Sequence, residues 1–504
     1  MSLNFIQTLL VLIVIGVSLF YLYLRRNYAY WKNRGVPYEE PNILLGNLSF
    51  IMRKSVWEYF LELRQKYSTK DYIGIFLGWK PTLVVQTPEL ARKILTKDFD
   101  YFQNRLIRSS YSSDPLGSLT LTSFKNPTWS NMRHELSPMF TSLRLKLVTE
   151  LMNGNATELV QKIQRDHIDN KEAVNLKELF SMYTSDTVGS TVFGIKVSAL
   201  NDINSPLWYI TSHMVKWTFW RGLEFSIIFF TPALAALLRL KLFSQPATEY
   251  IKKLFWDVVK ERKQAGQTND KDLVNHLLKL KDNLKLPADS GTQLADDLML
   301  AQAAIFILGS IETSSTTLSY CMHELAHHPE LQEKLGEEIS DAIKRKGKEI
   351  LEYDDLLELK YLTACILETL RKYPPVPHLD RECTATYRLD ERVTVEKGTP
   401  VFVNVMALHY DPKVFPNPEQ WNPDRMSNVA ESDNLQFSFV PFGDGPHFCI
   451  GKRYGVIQVR AALAQMLSKY RVEPDPNEPY LVKPDPYSVM LSPLSGGRVK
   501  FVLR

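Results

Sequence analysis

The chain has 504 residues, 45% of them apolar and 23% charged, with a formal net charge of +4. This is the balance of an ordinary globular protein, and so small a positive excess on so long a chain gives no ground for nucleic-acid binding. Its four cysteines, Cys321, Cys365, Cys383 and Cys449, show no close pairing, which argues against a disulfide framework and for reduced thiols on the cytosolic side.

Phe5 to Leu24 carries no charge. At about 1.5 Å per residue this run spans a hydrocarbon core of roughly 30 Å. No basic residue precedes it, whereas Arg25, Arg26, Lys32 and Arg34 follow, so the N-terminus is expected in the lumen and the body in the cytosol. A basic leader and a small-residue cleavage site are both missing, which favours an uncleaved anchor over a signal peptide. Residues 25–47 have the Pro/Gly punctuation of a stiff, basic connector. Ile73–Phe76 and Thr82–Val85 bracket Gly78-Trp79-Lys80-Pro81 and predict a hairpin. Trp129 and Arg133, four apart, share one face of a predicted helix. Phe225–Leu238 is apolar but interrupted by Pro232 and too short to span a bilayer; partial burial in a membrane surface is expected, with an ordinary buried helix as the alternative.

Leu294–His328 is the longest helical pattern, about three times the usual length, and stops at Pro329. His327 and His328 point to different faces, so interaction with the helix dipole is expected in place of a metal pair. Within this helix, Glu312 and Thr313 follow Gly309. An acid beside a hydroxyl there can open the backbone ladder to a water and pass protons to a reacting oxygen. The alternative has Thr313 bonding its own helix carbonyl and Glu312 as a surface acid. Glu368 and Arg371 pair opposite charges three apart before Pro374-Pro375, a contact worth little if solvated. After the Pro- and Asp-rich loop from His409 to Met426 comes Phe-Gly-Asp-Gly-Pro-His-Phe-Cys-Ile-Gly, Phe442 to Gly451. Its glycines let backbone approach a bulky planar group, and N–H groups in such a turn can tune a sulfur that ligates haem iron. A buried structural cysteine is the competing account. Lys125, Lys452, Arg453 and Arg460 are expected to form a basic docking surface for an acidic partner, the alternative being a solvated helix face. Tyr487–Phe501 predicts a terminal hairpin whose tip, Met490 to Pro493, enters a pocket.

Phe442, Gly445, His447, Cys449 and Gly451 fill the five fixed positions of Phe-x-x-Gly-x-(Arg/His)-x-Cys-x-Gly. This run resembles the haem-thiolate signature of the cytochrome P450 superfamily, and the chain looks most like the insect xenobiotic-metabolising branch of its microsomal members. The resemblance implies a mainly α fold with small β-sheets, one large haem-thiolate unit over 48–504, preceded by a transmembrane anchor over 1–24 and a hinge over 25–47. It implies haem b with Cys449 as axial thiolate ligand. Phe442, His447 and Gly451 would form its seat, and Trp129, Arg133 and Arg381 would hold its propionates. Thr313 and Glu312 would relay protons, although Ser310 stands where the family has a second glycine and would sit near the dioxygen groove. Glu368, Arg371 and Arg425 would form a buried structural triad. Phe124, Phe306, Gly309, Leu379 and Met490 are the pocket residues expected by position. The activity implied is insertion of one oxygen atom from O₂ into an apolar small molecule, in metabolism of foreign compounds such as insecticides or plant toxins. Electrons would come from NADPH through a separate cytochrome P450 reductase, with cytochrome b5 as a further donor, at the endoplasmic reticulum membrane. The alternatives are an endogenous lipid or hormone substrate, a reductase-independent haem-thiolate isomerase, and an inactive lipophile-binding haem protein.

Overall fold

The computed structural model describes residues 3–504 apart from 53, 171, 197, 267–271, 284–290, 428–434 and 436. The fold is mainly helical with small sheets. Helix α1 (Leu3–Tyr28) runs on past Arg25 and Arg26. It is apolar enough to cross a membrane, and none of its most apolar window is buried by the rest of the chain. The hinge that follows is not a free connector. Trp31 is buried and donates from Nε1 to the Ile75 carbonyl at 3.1 Å, and its ring stands where a Cβ on Gly74 would be, 2.3 Å from the nearest ring atom. Tyr38 bridges Gly74 on the same strand. The segment 25–47 is therefore fixed to a sheet edge.

That sheet begins with the expected hairpin, β1 (Tyr72–Leu77) and β2 (Lys80–Val85), turning at Gly78 with φ of 61°. Helices α2 (Thr128–Leu136), α3 (Ser142–Ile163) and α4 (Leu176–Val192) follow. Phe225–Leu238 forms two helices, α5 (Phe219–Phe230) and α6 (Pro232–Leu237), because Pro232 cannot continue the first. Phe225, Ile228 and Phe230 are buried while Leu234, Leu237 and Leu238 are exposed, so the stretch is part core and part apolar surface.

The central element is α7 (Gly291–His327), 37 residues long. It is apolar on all sides, as a helix inside a large protein must be, and 61% of its most apolar window is buried, so it is core helix. Its last turn is closed by side chains: His327 and His328 each hold, through Nδ1, the carbonyl four residues back, at 2.9 and 2.8 Å. One large apolar core packs on its N-terminal half through Ile311 and a second from Leu318 onward. Ser314, Ser315, Thr316 and Thr317 occupy the seam between them. Helix α8 (Lys360–Lys372) leads into β3 (His378–Glu382) and β4 (Pro400–Asn404). β4 pairs parallel with β2 and antiparallel with β3, giving the order β1-β2-β4-β3. Helix α9 (Lys452–Lys469) packs against α3 and α7. The C-terminal segment departs from the expected hairpin: β6 (Arg498–Leu503) pairs with β5 (Tyr470–Pro474), and residues 485–492 make a separate turn.

Candidate active site

Cys449 sits in a loop that two long-range connections hold. Its own N–H donates to the Phe442 carbonyl at 2.8 Å, closing the turn. Gly443 and Gly445 have φ of 70° and 66°, where a side chain is strained. A Cβ on Gly445 would lie 1.9 Å from the Leu95 carbonyl oxygen, so only glycine fits. The loop's start is pinned by His409, which is fully buried. Its Nε2 accepts from the Val440 N–H at 3.0 Å and its Nδ1 donates to the Arg371 carbonyl at 3.1 Å. Burial first, and then the Arg371 charge, lower its pKa to about 3, so the ring is neutral.

Arg371 belongs to an ion-pair cluster beneath this loop. Its Nε and Nη2 contact the two Glu368 oxygens at 2.9 and 2.8 Å, and both side chains are fully buried. Arg425 Nε adds a contact to Glu368 at 3.1 Å. The Arg371 guanidinium also donates to the carbonyls of His409 and Gln420 at 3.0 and 3.1 Å. The three residues singled out in sequence thus meet, and His409, which the sequence did not single out, joins them to the cysteine loop.

Above the loop lies a cavity of about 390 Å³. Cys449 is accessible from it, although the thiol lies deep in the fold; burial raises its pKa against lowering by the Gly451 N–H, Arg105, Arg133 and Lys452. Arg105, Arg133, Arg381, Trp129 and His447 stand on the wall. Trp129 and His447 rings are 3.8 Å apart, and Arg133 lies 4.5 Å over the Phe448 ring. His447 donates from Nε2 to the Gln103 carbonyl at 2.7 Å, leaving a buried, bare Nδ1. Burial, then Arg105 and Arg381, lower its pKa to about 2. Arg381 is only 2% exposed and its Nε has no partner; burial and Arg105 lower its pKa to about 9. Three guanidinium groups therefore face Asp380 as the one carboxylate on the cavity wall among the described residues. Uncompensated buried cations cost several kcal/mol, so this wall fits a group that brings its own carboxylates, as the propionates of haem do. Arg105 was missed in sequence because nothing local marks it: it lies in irregular loop and reaches the site through its donation to the His447 carbonyl, 3.1 Å.

Phe306, Gly309, Thr313, Leu379 and Met490 line the same cavity. Phe124 does not; it packs against the core, and Leu121 and Thr122 take the wall instead. The α7 ladder is not visibly opened at Thr313, whose hydroxyl donates to the Gly309 carbonyl at 2.6 Å. Glu312 is no surface acid. It is fully buried and paired with Lys177 at 3.1 Å, off the cavity wall. Ser310 lines the same cavity beside Gly309, and its hydroxyl donates to Gln458 Oε1 on α9 at 3.1 Å.

The expected basic surface is smaller than the sequence suggested. Lys452 and Arg453 are exposed. Arg460 is 6% exposed and donates to Thr363 at 2.6 Å. Lys125 donates to the carbonyls of Arg105 and Ile107, and burial lowers its pKa to about 8.

A family model described as Cytochrome P450 matches residues 36–501. The chain is similar to "Probable cytochrome P450 6g2" of Drosophila melanogaster, 32% identical with 98% of each chain covered. It is likewise similar to "Cytochrome P450 6k1" of Blattella germanica, 32% identical over 96% of this chain and 94% of that one. "Cytochrome P450 9c1" of Drosophila melanogaster is 31% identical over 94% and 92%. Over nearly its whole length, and with a cysteine loop and cavity of the kind described above, this chain belongs to the cytochrome P450 family.

Proposed function

We propose that the protein is a membrane-anchored monooxygenase that puts one oxygen atom from O₂ into apolar foreign compounds, with electrons from NADPH delivered by a separate reductase. The observation that carries this reading is the cavity itself, whose lining brings together one thiol, Thr313, an arginine cluster and a mainly apolar wall. Bound haem would supply the oxygen-activating chemistry, with Cys449 as its ligand. The chain's residues do the rest. Arg105, Arg133, Arg381 and Trp129 hold the negative edge of the cofactor, and neutral His447 completes the seat. The glycine loop positions the sulfur, and the Gly451 N–H restrains its electron donation. Glu368, Arg371, Arg425 and His409 keep that loop rigid. Thr313, on the cavity wall, holds and passes a proton, with Glu312 behind it as supply. Phe306, Leu379 and Met490 exclude water and select apolar substrates.

Helix α1 anchors the protein in the endoplasmic reticulum, with the body in the cytosol. Lys452 and Arg453, exposed beside Cys449, give an acidic donor protein a place to dock. The test is turnover of a panel of lipophilic compounds by the full chain reconstituted with reductase and NADPH. Product that depends on both supports the reading, while turnover of a peroxide without either contradicts it.

A further inference from the structure

His378 lines the cavity, and no role described above employs it. It lies on β3, the edge strand of its sheet, and is 9% exposed. Side chains alternate across a strand, so His378 and Asp380 share one face of β3 while Leu379 and Arg381 share the other. Leu379 comes within 3.7 Å of where a Cβ on Gly443 would sit, which puts the cysteine loop on its side and His378 on the far one. There the imidazole is packed among aromatic rings. Phe60, on the helix Val56–Lys66, stacks on it nearly parallel, at 4.7 Å and 7°. Phe230, the last residue of α5, covers it at 5.4 Å and 29°, and Phe402 of β4 lies at 5.0 Å. Among the described residues no hydrogen bond reaches the ring, and Nδ1 is buried bare. Hydroxyls on the same cavity wall are already engaged: Ser310, Thr313 and Thr317 donate to Gln458 and to the Gly309 and Thr313 carbonyls.

We propose that His378 is a specificity-determining residue: its ring nitrogens recognise an uncharged oxygen, carbonyl or hydroxyl, carried by an otherwise apolar substrate at a point remote from the thiol. The inference rests on the monooxygenase reading above and names the substrate class of the same cavity. A buried polar group without a partner is rare in native proteins and costs stability; here the missing partner arrives with the ligand. Burial holds the ring neutral, with its pKa lowered to about 4, so it carries one N–H and one bare nitrogen. No internal hydrogen bond fixes the tautomer, and the ring can therefore donate to a carbonyl oxygen or accept from a hydroxyl. An anion is unsuited to this point. The surrounding rings give it no counter-charge, ionic groups lose their water at a high cost, and the Asp380 charge acts on the imidazole from the same strand face. Asp380 itself accepts from the Leu106 N–H at 2.6 Å. Phe60, Phe230 and Phe402 suit the apolar body that flanks the oxygen.

The test uses the full-length holoprotein, wild type and His378→Phe, with diphenylmethane, benzophenone and benzhydrol, which share one apolar skeleton and carry no oxygen, a carbonyl and a hydroxyl respectively. Phenylalanine keeps a ring to stack on Phe60 and Phe230 and removes both nitrogens. Equilibrium dialysis gives the Kd of each compound. The preference for benzophenone and for benzhydrol over diphenylmethane should be about fivefold to tenfold greater in wild type than in His378→Phe, the net effect of one neutral hydrogen bond. Comparing the preference between two proteins cancels the different solubilities of the probes. The infrared carbonyl stretch of bound, carbon-13-labelled benzophenone should lie below its value in hexane in wild type and move back toward it in His378→Phe. Equal preferences in the two proteins, or a wild-type stretch at the hexane value, overturns the proposal. The wild-type stretch needs no variant, so it decides even if His378→Phe loads no haem. If diphenylmethane does not bind the wild type, the apolar-substrate reading itself fails; if it binds and the preferences do not differ, only the role of His378 falls.

Discussion

Replacing Arg371 with methionine should cost more than any other single change outside the cavity. The side chain is fully buried and makes two contacts to Glu368 and two to backbone carbonyls. Methionine fills part of the volume but leaves Glu368 buried with only Arg425, which is itself partly exposed. Breaking one side of a buried pair costs about 3–5 kcal/mol, and each stranded carbonyl adds about 1–3 kcal/mol before water reaches it. Domains typically hold only about 5–15 kcal/mol in reserve. The expected result is a protein that loses its haem in mild denaturant, because His409 and the cysteine loop lose their support together. Denaturant midpoints followed by the haem Soret band measure this, with Arg425→Met as the milder comparison. The double change Glu368→Leu/Arg371→Met should recover part of the loss by removing the stranded acid. A midpoint for Arg371→Met within about 1 kcal/mol of wild type would refute the reasoning, since surface ion pairs are worth no more than that.

Gly445→Ala should abolish haem loading, because its methyl would meet the Leu95 carbonyl and neither backbone can yield; haem content per protein after purification reads this directly. Thr313→Ala should keep the haem yet divert reduced cofactor into peroxide, as measured by product and peroxide per NADPH; an unchanged product yield would remove Thr313 from the relay. Acid should weaken the fold from about pH 6.5 downward. His409 and His378 have folded pKa values lowered to about 3 and about 4, chiefly by burial. The unfolded chain therefore binds protons first below about 6.5, and the stability lost grows until pH falls through the folded values. His409→Gln should flatten part of that decline in a pH series of unfolding midpoints.

The parts of this molecule that sequence displays well are those whose requirements are local. The hairpin at Gly78, the long helix stopped by Pro329 and the glycine-framed cysteine loop all follow from backbone rules acting over a few residues. What sequence hides is set by distant neighbours. Arg105, His409 and Lys177 have unremarkable surroundings in the chain, and acquire meaning only through partners at His447, Val440 and Glu312. Charge misleads for the same reason. Arg460 and Lys125 read as surface cations, whereas Thr363 and the 105–107 carbonyls draw them inward. Position alone points to Phe124 for the cavity, but Leu121 and Thr122, two or three residues earlier on an irregular loop, take that wall.

The account stands or falls on sulfur-to-iron ligation at Cys449. The decisive measurement is the absorption spectrum of the purified, haem-loaded chain, reduced under carbon monoxide, for wild type and Cys449→Ser. A strongly red-shifted Soret band in wild type that vanishes in the serine variant is the predicted result. A wild-type protein that carries haem without that band, or a serine variant that keeps it, would contradict the account.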